Sequence, residues 1–249
     1  CKRLEDNGLI EDDFGPWGSQ VVLAAKPNQA DVPWYHFIWR FCVSYRKLNT
    51  VTRPFKFPLP RCDDAVNDIS PRAKWFITLD LDSGYWQITA SKSARSRLAF
   101  YTPTGKKHWT VMPMGALNAS ATFVAMMTVL KKEWTEEYKP SEPVHFRIKE
   151  QATDPDDTDS KVIVDDILLY SDDHKALIAF ARVVFKTLQH YRATVKLKKC
   201  EFLIQTASFV GKEILATGNQ PARGKLADFH KLPIPATFDD LRYAIGFFG

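Results

Sequence analysis

The sequence predicts an α+β fold organised around antiparallel hairpins. Two stretches with helical spacing, 119–137 and 174–191, are interleaved with short strand-like runs. The runs come in close pairs separated by turn residues, and do not alternate regularly with helices as a doubly wound parallel sheet requires.

The elements follow in order. Residues 19–25 read as a buried strand. A turn-rich segment over 27–36 follows, and 39–45 alternate as the second strand of a hairpin. Pro54, Pro58 and Pro60 make 51–62 an extended connector, with a short helix beginning around Asp63–Val66. Residues 75–81 form a strong strand closed by the turn Asp82-Ser83-Gly84. The helix over 119–137 puts Phe123, Met126, Met127 and Leu130 on one face. Residues 138–160 are polar and turn-rich, a solvated loop. Val162-Ile163-Val164 and Ile167-Leu168-Leu169 flank an acidic pair, and Leu177, Phe180, Val184, Leu188 and Tyr191 share the stripe of the next helix. Past the basic stretch 196–199, residues 207–214 read as another hairpin, and the tail from about 225 reads as helix.

The chain has 249 residues, 45% hydrophobic and 25% charged, a composition that supports a sizeable core and excludes general disorder. No apolar run approaches the roughly 20 residues a transmembrane helix needs. The start, Cys1-Lys2-Arg3, has no apolar stretch behind it and lacks an initiator Met, so it reads as a fragment or processed product without a signal peptide. A net charge of +5 permits a polyanionic partner without requiring one. The four cysteines are scattered, which argues against a disulfide framework or zinc site and for a reducing compartment.

The sharpest local anomaly is Asp165-Asp166. Adjacent carboxylates between buried flanks repel each other and lose hydration, so they call for a strong countercharge. A divalent cation supplies one; a plain polar turn is the alternative. Asp80 has the same setting, at the end of the apolar strand Trp75–Leu79. If the two strands are neighbours the three carboxylates converge, and such hard oxygen donors suit Mg²⁺ or Mn²⁺. Metals about 4 Å apart serve an in-line phosphoryl transfer.

At this point the chain resembles the reverse transcriptase of gypsy-type LTR retrotransposons. The resemblance is carried by blocks in family order: Pro16-Trp17-Gly18-Ser19; 39–49, from Trp39-Arg40-Phe41 to Leu48-Asn49; and Phe57-Pro58-Leu59-Pro60-Arg61. Thr78-Leu79-Asp80-Leu81-Asp82-Ser83-Gly84-Tyr85-Trp86-Gln87-Ile88, then Val111-Met112-Pro113-Met114-Gly115-Ala116-Leu117-Asn118-Ala119 with Ala121-Thr122-Phe123, and Val164-Asp165-Asp166-Ile167-Leu168-Leu169-Tyr170-Ser171 come next. Lys196-Leu197-Lys198-Lys199 and Phe209-Val210-Gly211 complete the series.

The resemblance implies a right-hand polymerase fold with an antiparallel palm sheet and a truncated thumb. It divides the chain into fingers over 1–56 and 88–118, palm over 57–87 and 119–215, and the start of a thumb or connection over 216–249. It implies an RNA-directed DNA polymerase with two Mg²⁺ or Mn²⁺ ions on Asp80, Asp165, Asp166 and the Leu81 carbonyl. Tyr85 would exclude a 2′-hydroxyl, Arg40 and Lys26 would grip the triphosphate, and Gly115 would allow close backbone approach. Lys199 would act near the pyrophosphate as a proton donor, and Phe209, Val210 and Gly211 would form the primer grip. The implied partners are a primed RNA or DNA template, a dNTP, and the ribonuclease H and integrase regions of a parent polyprotein. The implied location is intracellular, in a cytoplasmic virus-like particle or the nucleus.

Three positions depart from the family pattern. Ile163 stands where most relatives carry Tyr or Phe, Ser120 where many have Pro, and Ser44 where many have Asp. With no ribonuclease H, integrase or protease block in the chain, a second reading is a domesticated, catalytically silent domain serving as a structural or nucleic-acid-binding subunit of a larger assembly.

Overall fold

The computed structural model describes residues 1–25, 39–58, 60–138, 158–221, 234, 235, 237, 238 and 240–242. The chain opens with α1 (Lys2–Asp6), β1 (Ile10–Asp12), β2 (Gln20–Ala25), β3 (Trp39–Ser44), α2 (Arg46–Val51) and α3 (Cys62–Asn67). Then come β4 (Trp75–Asp80), α4 (Lys92–Arg95), β5 (Ala99–Thr102), β6 (Gly105–Trp109) and α5 (Ala119–Glu137). The rest is β7 (Asp159–Ile163), β8 (Asp166–Ser171), α6 (His174–His190), β9 (Glu201–Ile204), β10 (Thr206–Phe209), β11 (Lys212–Leu215) and β12 (Gly218–Pro221).

The central sheet has four antiparallel strands in the order β7-β8-β4-β9. Successive side chains of a strand point to opposite faces, and here both faces are covered. On one face Ile77, Leu79, Ile167 and Leu169 pack against Phe123, Met127, Leu130 and Trp134 of α5 and Leu177, Phe180, Val184 and Leu188 of α6. On the other, Phe76, Leu168 and Tyr170 meet Ala65 and Val66 of α3 and Ala207, Phe209 and Ile214 of the β10–β11 hairpin. Burial on both faces explains why β4 and β8 read as continuous apolar runs. Two polar groups taken inside satisfy each other: the Trp134 indole N–H donates to Ser160 Oγ at 3.0 Å. Helix α6 starts where the Asp173 carboxylate accepts the Ala176 backbone N–H at 3.1 Å.

A second lobe is built from β1-β6-β5 and the β2–β3 hairpin. Its core is Ile10, Val43, Tyr45, Phe100 and Trp109, with Phe41 edge-on to Phe100.

Several expectations need correction. The strand over 19–25 forms, but it is largely exposed, because β2 pairs with β3 alone in a two-stranded sheet. Within the polar stretch 138–160, Asp159 and Ser160 already belong to β7, where Ser160 finds the Trp134 indole. Tyr191 does not share the buried stripe of α6; it is the C-cap, exposed, and donates to Glu133. The turn over 27–36 and most of the helical tail lie outside the described residues. The cysteines are free thiols, three exposed and Cys200 half-buried. Among the described residues no helix is long and apolar enough to cross a membrane.

Candidate active site

Strands β4 and β8 run antiparallel in a register that puts Asp80 directly opposite Asp166. Opposed residues of an antiparallel pair project to the same face, so these two carboxylates share one face at the sheet's end. Asp165 is delivered by the turn between β7 and β8, where Ile163 pairs with Asp166 and only Val164 and Asp165 remain in the loop. Val164 has φ +51°. Left-handed backbone is costly for a β-branched residue, about 1–3 kcal/mol. The hairpin is held in that strained form by its packed flanks: Ile163 is buried on the sheet face covered by α3 and the β10–β11 hairpin, and Val164 packs against the cores on both faces.

Burial, and after it the charges of Asp166 and Asp80, raise the Asp165 carboxyl above the usual carboxylate range. Burial and then Asp80 do the same to Asp166. The opposing charge is Lys199, whose Nζ donates to Asp80 Oδ2 at 2.8 Å. That bond holds the lysine above its ordinary pKa. Lys199 reaches this place because the segment after α6 folds back on β4. Lys196 N donates to Asp80 O at 2.8 Å, Asp82 N donates to Thr194 O at 3.0 Å, and Leu81 lies opposite Val195.

The donor set suits a hard divalent ion, since it consists of three carboxylates against the single ammonium of Lys199. One of their oxygens, Asp165 Oδ1, is buried with no hydrogen-bond partner. The expected convergence nevertheless stops short of a finished cage: among the described residues, no three acidic, histidine or cysteine side chains are gathered closely enough to hold an ion. The Lys199 ammonium is bonded to Asp80, and the neighbouring carboxylate charges disfavour ionisation of Asp165 and Asp166.

Tyr85 sits in a 3₁₀ turn, Gly84–Gln87, just past the Asp80 strand. Its ring stacks on Phe123 of α5, with centroids 5.1 Å apart and planes at 20°. Gly84 makes this close packing possible. A Cβ there would come within 2.9 Å of the Phe123 ring and 3.3 Å of Asp165 Oδ1. Gly115 adopts φ +89°, which a side chain would resist, and its neighbourhood is the Val43 carbonyl and the Tyr45 ring. Phe209 is the last residue of β10, and the two-residue turn Val210-Gly211 leads to Lys212. A cleft of about 290 Å³ runs from that hairpin to the carboxylates, lined by Asp80, Asp166, Lys199, Ser208 and Phe209 among others. Arg40 is exposed on β3, opposite Ala24 of β2. Lys26 lies outside the described residues.

Three amides that sequence reasoning left without a role position these parts. Gln87 Nε2 donates to Asp82 O at 2.6 Å and Thr194 O at 2.9 Å, and its Oε1 accepts from Thr194 N at 2.9 Å. It ties the Asp80 turn to the segment carrying Lys199. Asn49 bonds both the Gly115 carbonyl and the Leu117 N–H at 3.0 Å. Asn118 bonds the Arg53 carbonyl and the Phe55 N–H. The only signal was their placement inside the quoted blocks.

Residues 34–214 match the family model described as Reverse transcriptase (RNA-dependent DNA polymerase). The retrovirus-related Pol polyprotein from transposon 297 of Drosophila melanogaster is 27% identical over 249 residues, covering 100% of this chain and 21% of its own length. That from transposon gypsy of the same organism is 23% identical, covering 98% and 21%. This chain therefore spans about a fifth of the length of those relatives. The foamy viral protease-reverse transcriptase in complex with RNA/DNA hybrid superposes with a TM-score of 0.79 at 22% identity, over 99% of this chain and 29% of that one. The likeness shows the fold, a right-hand polymerase fold of mixed helix and antiparallel sheet. The chain belongs to the reverse transcriptase (RNA-dependent DNA polymerase) family, with retrotransposon Pol polyproteins, gypsy's among them, as its homologues.

Proposed function

We propose that this chain extends a primer 3′-hydroxyl with deoxynucleoside triphosphates on an RNA or DNA template. The observation that carries the reading is the pairing of Asp80 with Asp166 beside the buried, unpartnered oxygen of Asp165. Scaffolding has no physical use for raised, mutually repelling carboxylates at a strand end.

Asp80, Asp165, Asp166 and the Leu81 carbonyl are the groups that would hold a pair of Mg²⁺ or Mn²⁺ ions. The chemistry supplied by ions held there would be activation of the attacking hydroxyl and neutralisation of the leaving pyrophosphate. The chain's own residues do the rest. Lys199 keeps a proton at Nζ on the rim of the carboxylates, and it would donate that proton to a leaving phosphate oxygen. Arg40 offers a guanidinium fork to the triphosphate, with Lys26 as a second cation. The Tyr85 ring, braced by Phe123, fills the space a 2′-hydroxyl needs. The backbone at Gly115 leaves room for the nucleotide. The turn Phe209-Val210-Gly211, at the far end of the cleft, steers the primer terminus. In this division, β2–β3 and β5–β6 act as fingers and the β7-β8-β4-β9 sheet as palm.

The test is extension of oligo(dT) on poly(rA) with dTTP and Mg²⁺ or Mn²⁺. Elongated product supports the reading, and no extension with either ion overturns it.

A further inference from the structure

The Tyr85 side chain is held at two points, both on α5. Ser120 Oγ is 3.1 Å from the Tyr85 hydroxyl. Ser120 and Phe123 stand three residues apart, so they share one face of α5. Phe123 supports the ring by stacking and Ser120 holds its tip. The two contacts do different things. Stacking still leaves the ring some freedom to slide, because offset arrangements are favourable over a range of centroid distances. A hydrogen bond at the hydroxyl fixes that remaining freedom. Phe123 itself has little room to move, since its ring edge fills the space beside Gly84 next to Asp165 Oδ1.

We propose that Ser120 is a positioning residue for sugar selection: its hydroxyl sets the tilt of Tyr85 and so how strictly the site refuses a 2′-hydroxyl. The inference rests on the polymerase reading above. Ser120 touches no reacting atom; it acts through Tyr85. The bond joins the first turn of α5 to the 3₁₀ turn after β4, so the strictness of the gate depends on how those two elements meet. Either hydroxyl can be the donor, so removing either one breaks the same bond.

The test is steady-state incorporation of dCTP and CTP opposite template G by wild type, Ser120→Ala, Ser120→Thr, Tyr85→Phe and the Ser120→Ala/Tyr85→Phe double variant. Ser120→Ala is expected to lower the dCTP-over-CTP preference about threefold to tenfold, the range for loss of one hydrogen bond. The change should appear mainly as a lower KM for CTP, with kcat and the KM for dCTP little altered. Tyr85→Phe should match it, the double variant should be no worse than either single, and Ser120→Thr, which keeps a hydroxyl, should retain the preference. Unchanged preference in Ser120→Ala, or single losses that multiply in the double variant, overturns the inference while wild-type activity leaves the polymerase reading standing. If wild type incorporates neither nucleotide, the polymerase reading fails and the inference fails with it.

Discussion

Lys199 donates from Nζ to Asp80 Oδ2 across 2.8 Å, joining two residues 119 positions apart in the chain. The ammonium is the internal countercharge of a site with two further carboxylates, Asp165 and Asp166, whose charges also act on it. Removing it leaves those carboxylates facing one another. For Lys199→Ala the metal-free melting temperature at pH 7 should fall slightly, since an exposed pair contributes little. The gain on adding Mg²⁺ should grow, because the ion no longer competes with a lysine. Primer extension should fall roughly a hundredfold if the lysine supplies a proton. Thermal melts with and without Mg²⁺, alongside extension rates, check all three.

Asp165→Asn should stabilise the metal-free protein at neutral pH. Burial and neighbouring carboxylates raise the Asp165 and Asp166 carboxyls above 3.8 in the folded state. The folded protein then binds those protons more tightly than the unfolded chain does. The associated stability is present in acid and is lost as pH rises from about 4 through the raised values. Wild type therefore carries the penalty at pH 7, and the amide does not. The variant should melt roughly 1–3 °C higher at pH 7, and the difference should shrink as pH falls towards 4. A pH series of melts in EDTA reads this directly, and a difference that grows in acid would refute it.

Tyr85→Ala should relax sugar selection, since it removes the ring proposed to face the sugar, along with its stack on Phe123. The dCTP-over-CTP preference should drop at least roughly tenfold, as expected when a steric contact that discriminates substrates is lost. Equal preference in variant and wild type would remove Tyr85 from this role.

Gln87→Ala should loosen the segment that presents Lys199. The Gln87 side chain makes three hydrogen bonds to the backbone of Asp82 and Thr194. Its loss hands the exposed Thr194 groups to water, at a cost of about 0.5–1.5 kcal/mol per bond. Amide exchange should quicken over 194–199 while the α5 amides stay protected, and kcat should fall more than dNTP affinity. Unchanged exchange over 194–199 would count against the clamp.

Much of the fold was legible because its strands and helices carry strong periods. The α5 stripe of Phe123, Met127 and Leu130 and the α6 stripe of Leu177, Phe180, Val184 and Leu188 announce themselves at helical spacing. The Asp80 strand and the Asp165-Asp166 hairpin stood out because carboxylates interrupt apolar runs. What stayed hidden was long-range or short. Strand β1 has three residues and gains its strand character only by pairing with β6. The exposure of β2 could not be read from Val21-Val22-Leu23, whose apolar side chains suggest a core strand. In the site, the role of Asp80 was marked by its own strand, but the Lys199 partner and the amides of Gln87, Asn49 and Asn118 reach across scores of residues. No local pattern marks such contacts, because the turns that bring them together are set by tertiary packing.

The most direct measurement compares wild type with Asp165→Asn on poly(rA) primed with oligo(dT), recording both extension and primer-template binding. Affinity should rest on cations that meet phosphates, Arg40, Arg46, Lys196 and Lys198 among them, and should weaken with salt. Chemistry should rest on the carboxylates. The account predicts that wild type extends the primer with Mg²⁺ or Mn²⁺, and that Asp165→Asn extends none while binding the primed template within about threefold of wild type. A wild type that extends nothing with either ion, and an Asp165→Asn variant that differs from it in stability alone, would contradict the account.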